Sequence, residues 1–374
     1  MIVLARTDTS KLGRWWWTVD RWLLLAILLL FTVGIVLAMA ASPAVANRIG
    51  LDSFYFVRRH VEMMPIAILI MITVSLASPR EIRKTAALVF ALCIPLMALV
   101  LVVGAEIKGA QRWIAIGGFS LQPSEIIKPA FAVVSGALFA AQKQNRGVPG
   151  NLIATGLYGM VLGLLLLQPD LGMAFVVSAV WFAQFFVAGL PLMLVGTFAG
   201  AGFGGLVGAY FLFPHVQSRV DRFLDPSSGD SFQIERSLEA FMNGGLFGRG
   251  PGEGTVKAHL PDAHADFIFS VAGEEFGVIA CIAIVGLFAF IVLRGFSRLM
   301  QDTNLFVVLA STGLLVQFGL QAVINMASSL HLMPTKGMTL PFLSYGGSSM
   351  LGLAFGMGMV LALTRKRFGP EEEA

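Results

Sequence analysis

Ten apolar runs punctuate the chain, at 23–41, 61–77, 85–104, 125–141, 152–167, 171–188, 191–213, 267–293, 304–326 and 346–364. A helix rising 1.5 Å per residue needs about 20 apolar residues to cross a hydrocarbon core. The pattern therefore predicts an all-α polytopic membrane protein of about ten transmembrane helices, forming one domain over 1–374. Runs four to six are short, and the fourth opens on Glu125 and Lys128. The longest polar interval, 214–266, is expected to be a large extracytoplasmic loop between helices 7 and 8. Residues 1–22 and 365–374 are expected to be cytoplasmic tails. Basic residues before the first run resemble a signal peptide, but the run is as long as a span and no small-residue cleavage motif follows directly. It reads as an uncleaved first helix.

Composition supports this picture. Hydrophobic residues make up 56% of the 374 and charged residues 13%, against about 25% charged in soluble domains. A net charge of +4 need not imply nucleic acid, because Lys and Arg collect on cytoplasmic loops. With the N-terminus inside, 14 of the 26 basic residues lie inside, and five of the other 12 fall in the 214–266 loop, where the rule has less force. Only 7 of the 22 acids lie inside. Acids contribute little to orientation, so their outward bias is a hint about function. Cys93 and Cys281 both fall inside apolar runs and read as small buried hydrophobes.

The densest chemistry precedes the eighth run. His259, Asp262, His264, Asp266, Glu274 and Glu275 fall within 17 residues. Charge at a membrane entry is costly and usually marks function. Before the fourth run, Pro123 and Ser124 are helix-start residues. Glu125 and Lys128, three apart, share a helix face and can pair. Arg58-Arg59-His60 forms an outer basic patch, either facing substrate or solvated. Asp170, in the turn Gln168-Pro-Asp-Leu-Gly172, is placed to cap the next helix. Gly200, Gly202, Gly204, Gly205 and Gly208 suggest close helix packing in the seventh span. Asp230 with Gln233 resembles a capping box. Ile234, Leu238, Phe241 and Met242 form an apolar stripe, predicting a short helix resting on the membrane surface or on the bundle. The run Asn243-Gly-Gly-Leu-Phe-Gly-Arg249-Gly-Pro-Gly-Glu-Gly254 lacks the Gly-Lys-Ser/Thr ending of a phosphate loop. Its flexible backbone, with Arg249 and Lys257, is still a candidate for meeting a pyrophosphate. The His-Glu-x-x-His of zinc proteases and the Gly-x-Ser-x-Gly elbow are both absent. Intramembrane Glu, Lys and Asp leave an ion-coupled transporter as the serious rival.

Several motifs together resemble the SEDS family (shape, elongation, division and sporulation). They are Arg112-Trp113 with Gln122-Pro-Ser-Glu-Ile-Ile-Lys128, Gln168-Pro-Asp-Leu-Gly172, Gly244-Gly-Leu-Phe-Gly248, His264-Ala-Asp-Phe-Ile-Phe269 with Gly273-Glu-Glu-Phe-Gly277, and Pro341-Phe-Leu-Ser-Tyr-Gly-Gly-Ser-Ser349. The resemblance runs from about residue 23 to 366. Pro334-Thr-Lys336-Gly-Met-Thr-Leu-Pro341 is similar to the division branch; the elongation branch usually lacks that lysine. Two departures stand out: the family commonly has His-Thr-Asp where this chain has His264-Ala265-Asp266, and Tyr-Gln where it has Phe232-Gln233. The resemblance implies a peptidoglycan glycosyltransferase at the outer face of the bacterial inner membrane. It would join two lipid II molecules for septal wall synthesis, with undecaprenyl pyrophosphate as leaving group. Asp266 would be the general base. Glu125, Lys128, Arg112, Arg249, His264, Lys336, Ser344 and Ser348 would bind or support substrate. A metal requirement is left open, with Mg or Mn as the divalent candidates. The implied partner is a class B penicillin-binding protein, the division transpeptidase FtsI, with other divisome proteins. A lipid II flippase is the alternative activity.

Overall fold

In the computed structural model, residues 10–107, 110–116, 119–189, 191–224, 232–334 and 337–366 are described. Asp230 and Lys336, singled out above, lie outside them. A short helix, α1 (Lys11–Thr18), opens the chain inside the segment expected to be a plain tail. It is amphipathic: Trp16 and Trp17 are exposed, while Trp15 is buried and donates its indole N–H to Ser75 Oγ at 2.9 Å.

Ten long helices then occupy the ten apolar runs. The first seven are α2 (Arg21–Arg48), α3 (Tyr55–Ser75), α4 (Pro79–Val103), α5 (Pro123–Lys143), α6 (Gly150–Leu167), α7 (Leu171–Val187) and α8 (Leu192–Leu212). After α9 (Pro214–Leu224) and α10 (Phe232–Gly244) come α11 (Ile268–Leu299), α12 (Leu305–Ser329) and α13 (Gly347–Leu363). Among the described residues, seven helices are long and apolar enough to cross a membrane, and α7 and α13 are shorter apolar helices of 17 residues each. The chain is a multi-pass membrane protein.

Their starts follow local chemistry. Ser78 and Glu81 form a complete capping box, with Pro79 in the first turn of α4. Asp20, Asp170 and Asn304 cap α2, α7 and α12 through their side chains. α5 and α12 are buried along most of their length and form the centre. α13 lies against α3 and α5, while α12 also meets α7 and α11.

Three features depart from the sequence reading. Residues 105–121, expected to be loop, carry a small antiparallel sheet: β1 (Ala105–Ile107), β2 (Ala110–Ile116) and β3 (Phe119–Leu121), in that spatial order. The glycines of α8 were expected to allow close helix contact, yet a Cβ added at Gly200, Gly202, Gly204, Gly205 or Gly208 would meet nothing within 4 Å. Instead, α8 touches the bundle through Phe198, whose ring lies 5.2 Å from Trp181 and 6.3 Å from Phe185 of α7. The third departure is inside α11: Gly277, at φ 77°, interrupts the helix.

Candidate functional site

The interruption at Gly277 organises the acidic stretch. Breaking a helix strands carbonyls above the break and amides below it. Here the Gly244–Gly250 turn supplies the partners. The amides of Arg249 and Gly250 donate to the carbonyls of Glu274 and Glu275 at 2.9 and 3.0 Å, and the Val278 amide donates to Gly245 at 2.9 Å. The backbones approach so closely that a Cβ on Gly277 would stand 2.4 Å from the Leu246 oxygen, and one on Gly248 2.1 Å from that of Glu275. The glycine run is therefore a splice into a broken helix.

This geometry settles how several charged residues are engaged. Glu274 is fully buried and accepts from the amides of Thr255, Val256 and Lys257 at 2.7–2.9 Å and from Asn243 Nδ2 at 2.9 Å. Glu275 is ion-paired with Lys257, whose Nζ also donates to the Ala40 carbonyl at 3.0 Å. Lys257 is buried, so it does not present a cation to a pyrophosphate in this structure. Arg249 donates to the Asn243 carbonyl at 2.8 Å and to its side-chain oxygen at 2.5 Å, closing the C-terminal end of α10 while remaining exposed. Of the two sites anticipated for α10, the structure gives the bundle: Ser237, Ala240 and Gly244 are buried, and Ser237 Oγ lies 2.6 Å from Ser270 Oγ of α11.

Asp266 sits two residues before α11, half-buried. Its main chain is tied on two sides. Asn325 Nδ2 donates to the Asp266 carbonyl at 2.9 Å and to the Met338 carbonyl at 2.6 Å. The Tyr345 amide donates to the His264 carbonyl at 2.9 Å, and Ser344 Oγ donates to that of Ala265 at 2.6 Å while accepting the Leu340 amide at 2.8 Å. The His264 ring stacks on Phe56, with centroids 3.9 Å apart. The carboxylate lies over the 337 backbone: Oδ2 is 3.8 Å from where a Gly337 Cβ would stand.

Glu125 and Lys128 pair as their spacing suggested, at 2.8 Å and almost wholly enclosed. Lys128 Nζ also donates to Gln321 Oε1 at 3.0 Å, and Gln321 Nε2 donates to the Thr339 carbonyl at 3.1 Å. Thr339 Oγ1 and Ser349 Oγ lie 2.7 Å apart. Gln321 and Asn325 are one turn apart on α12 and hold consecutive residues, Thr339 and Met338. The structure thus joins the Lys128 pair and the Asp266 segment through one face of α12. This stripe was missed in the sequence. Its signal was two amide side chains, four apart, inside an apolar run.

The remaining candidates are further out. Arg112 donates to the Gln168 carbonyl at 3.0 Å and to that of Pro169, and its other nitrogen lies 3.7 Å from Asp170 Oδ2. Asp170 accepts the Met173 amide at 3.2 Å, the cap its position suggested. Burial pushes its carboxyl above the usual range, against the opposing pull of Arg112. Ser348 Oγ accepts the Gln122 amide at 3.0 Å and donates to the Ser120 carbonyl at 2.9 Å, joining α13 to the sheet. The outer basic patch does not act as one: Arg58 lies 3.3 Å from Asp52, Arg59 lies over Tyr55, and His60 is buried. Among the described residues, no three His, Cys, Asp or Glu side chains converge to hold a metal ion.

The FtsW/RodA/SpoVE family model, described as cell cycle protein, matches residues 21–368. The chain belongs to this family. A probable peptidoglycan glycosyltransferase FtsW of Caulobacter vibrioides (strain NA1000 / CB15N) is 48% identical over 366 residues, covering 98% of this chain and 94% of that protein. A protein of the same description from Trichlorobacter lovleyi is 37% identical, covering 92% and 93%. Among solved structures, one described as structural coordination of polymerization and crosslinking by a peptidoglycan synthase complex superposes with a TM-score of 0.77 at 30% identity, over 92% of this chain and 97% of that one. The rod shape determining protein RodA of Thermus thermophilus superposes at 0.68 and 29% identity, over 93% and 97%.

Proposed function

We propose that this chain is a peptidoglycan glycosyltransferase that polymerises lipid II for septal wall synthesis, with Asp266 as general base. The names of its relatives support the reaction class. The observation that carries the residue assignment is how the chain around Asp266 is held. Asp266 is half-buried and is fixed through its main chain, by Asn325 and by its link to residues 340–345. That arrangement orients a carboxylate from behind.

The chemistry follows from what glycosyl transfer needs. The glucosamine 4-hydroxyl of one lipid II is a poor nucleophile until its proton is removed in the transition state. A positioned carboxylate contributes about 10²–10⁴-fold to that step. The oxygen attacks the anomeric carbon of the second lipid II, the bond to the pyrophosphate breaks, and the configuration inverts without a covalent sugar–enzyme. Asp266 takes the proton. Arg249, exposed, and Lys336 are the cations assigned to the leaving pyrophosphate. Lys128 is enclosed against Glu125 and Gln321, so its role is to hold the 339 segment beside Asp266. Ser344 holds the chain beside Asp266 through the Ala265 carbonyl, Arg112 and Ser348 brace the 168–169 turn and the sheet through main chain, and His264 acts through its stack on Phe56. Both termini are assigned to the cytoplasm and the 214–266 loop to the outside. The partner is assigned as a class B penicillin-binding protein, the division transpeptidase FtsI.

The test is purified chain with that partner in liposomes, given labelled lipid II. Long glycan on a gel is the expected product. Translocation of lipid II with no polymer would replace this reading with a flippase.

A further inference from the structure

The short helix α1 (Lys11–Thr18) lies at the end of the bundle opposite Asp266. Asp266 precedes α11, whereas Asp20, two residues after α1, is ion-paired with Arg294 and Arg298 near the far end of α11. Three further ties place α1 along that end. The Thr18 carbonyl accepts the Lys366 amide at 3.1 Å, just past α13. Trp15 donates its indole N–H to Ser75 Oγ at 2.9 Å, at the last residue of α3. The Lys11 charge is close enough to act on Glu81, in the first turn of α4. Successive turns of α1 thus meet the ends of different spans, so the helix runs across the bundle where its spans leave the membrane. Val19 and Asp20 are extended, and α2 then starts in a new direction.

What α1 turns outward is apolar. Gly13 and Trp15 are buried, but Leu12 is 56% exposed and Trp16 and Trp17 are exposed as well. Leu12 and Trp16, four apart, share a face. This surface continues onto α2, which is long and apolar enough to cross a membrane. Trp22, Leu25, Leu29, Val36 and Met39 are exposed there, and their spacing of three, four, seven and three residues makes one stripe. Arg21 joins the two surfaces. Its guanidinium lies 5.0 Å from the Trp16 ring and 4.8 Å from the Trp17 ring, and its Nε donates to the Trp16 carbonyl at 3.4 Å. The α2 stripe faces hydrocarbon because α2 spans the bilayer, and the outward rings of α1 extend it at the boundary. Tryptophan concentrates at that depth, where its ring meets acyl chains and its N–H meets water. Left in water, the same rings would form a contiguous apolar patch.

We propose that α1 is an interfacial helix, bound through Leu12, Trp16 and Trp17 to the boundary between headgroups and hydrocarbon in the leaflet that α2 enters. The occupant of this face is the lipid surface itself. Arg14 is exposed and stands two residues from both Leu12 and Trp16, so at 100° per residue it leaves the opposite side of the helix, toward water. An amphipathic helix lying in the membrane plane has this division of faces. Its ties to Ser75 and to the 366 amide hold the anchor against the inner ends of α3 and α13.

The experiment uses the full-length protein in vesicles of phosphatidylethanolamine and phosphatidylglycerol. Single introduced cysteines, Leu12→Cys, Arg14→Cys and Trp16→Cys, carry a nitroxide; Cys93 and Cys281 are buried and stay unlabelled. Electron paramagnetic resonance compares collisions with oxygen, which partitions into lipid, and with an aqueous nickel chelate. Labels at 12 and 16 are expected to favour oxygen, at depths of about 5–10 Å into the boundary, and the label at 14 to favour the chelate. Equal access of the chelate to all three positions puts α1 in water and overturns the proposal. Protection of 12 and 16 from both colliders means that protein covers this face, and overturns it too. If a labelled variant fails to fold, wild type and Trp16→Phe/Trp17→Phe in vesicles containing brominated lipid carry the test. The emission lost with the two rings is expected to be emission that bromine quenches; loss of unquenched emission alone contradicts the proposal.

Discussion

Replacing Lys128 by Met exposes how the buried charges are balanced. In the wild type, Lys128 and Glu125 meet at 2.8 Å with side chains 1% and 5% exposed. Removing the cation leaves the Glu125 carboxylate enclosed without its counter-charge, which costs about 3–5 kcal/mol. It also deprives Gln321 Oε1 of its 3.0 Å donor, adding about 1–3 kcal/mol. Glu125→Gln leaves Lys128 with Gln321, so it is the milder single change, at about 3 kcal/mol. The double variant removes both charges, and its cost is expected to fall below that of Lys128→Met alone. The coupling energy is then at least about 3 kcal/mol, favouring the intact pair. The assay is reversible unfolding in detergent, followed by tryptophan fluorescence for all four proteins, with glycan synthesis measured in parallel. Additivity within about 0.5 kcal/mol would refute the reasoning and make the two charges independent.

Three further outcomes are expected. Gly277→Ala places a Cβ 2.4 Å from the Leu246 oxygen at φ 77°, so at least 1–3 kcal/mol is lost, roughly, from the backbone alone, and the melting temperature falls sharply. Glu274→Gln puts an amide donor where the carboxylate accepts main-chain N–H groups on both oxygens; stability drops by about 1–3 kcal/mol, while activity per folded molecule is retained. Burial alone would raise the Asp20 carboxyl, but Arg298, the Leu23 amide and Arg294 hold it below the usual carboxylate range. Its contribution is therefore present above the ordinary carboxylate pKa and is lost as pH falls through the lower folded value; the melting curves of wild type and Asp20→Asn should converge there, and a constant gap down to strong acid would contradict this.

The apolar runs coincide with ten helices, and among the described residues seven of these are long and apolar enough to cross a membrane. Asp170 as a cap and the pairing of Glu125 with Lys128 were likewise legible, being local effects of spacing. Long-range contacts were not. Nothing near Lys257 announces Glu275 as its partner, since the pairing depends on the splice at Gly277. That break was hidden because a single glycine between Glu275 and the apolar run that follows is compatible with an unbroken helix. The α8 glycines misled in the opposite direction: small residues permit close approach but do not supply a neighbour. The 105–121 sheet was missed because its strands, of three, seven and three residues, are too short to show a clear alternation. Asn325 was visible only as an amide in an apolar helix, and its link to Asp266 needed the fold.

The most direct test of the central claim is Asp266→Asn, measured as glycan synthesis from lipid II at matched expression and partner binding. Asn keeps the shape of the side chain, and the main-chain tie to Asn325 is unchanged, but it does not accept a proton at neutral pH. The account predicts a loss of at least about 10²-fold with an unaltered melting temperature. Near-normal polymerisation by this variant would contradict it and reduce Asp266 to a structural role before α11.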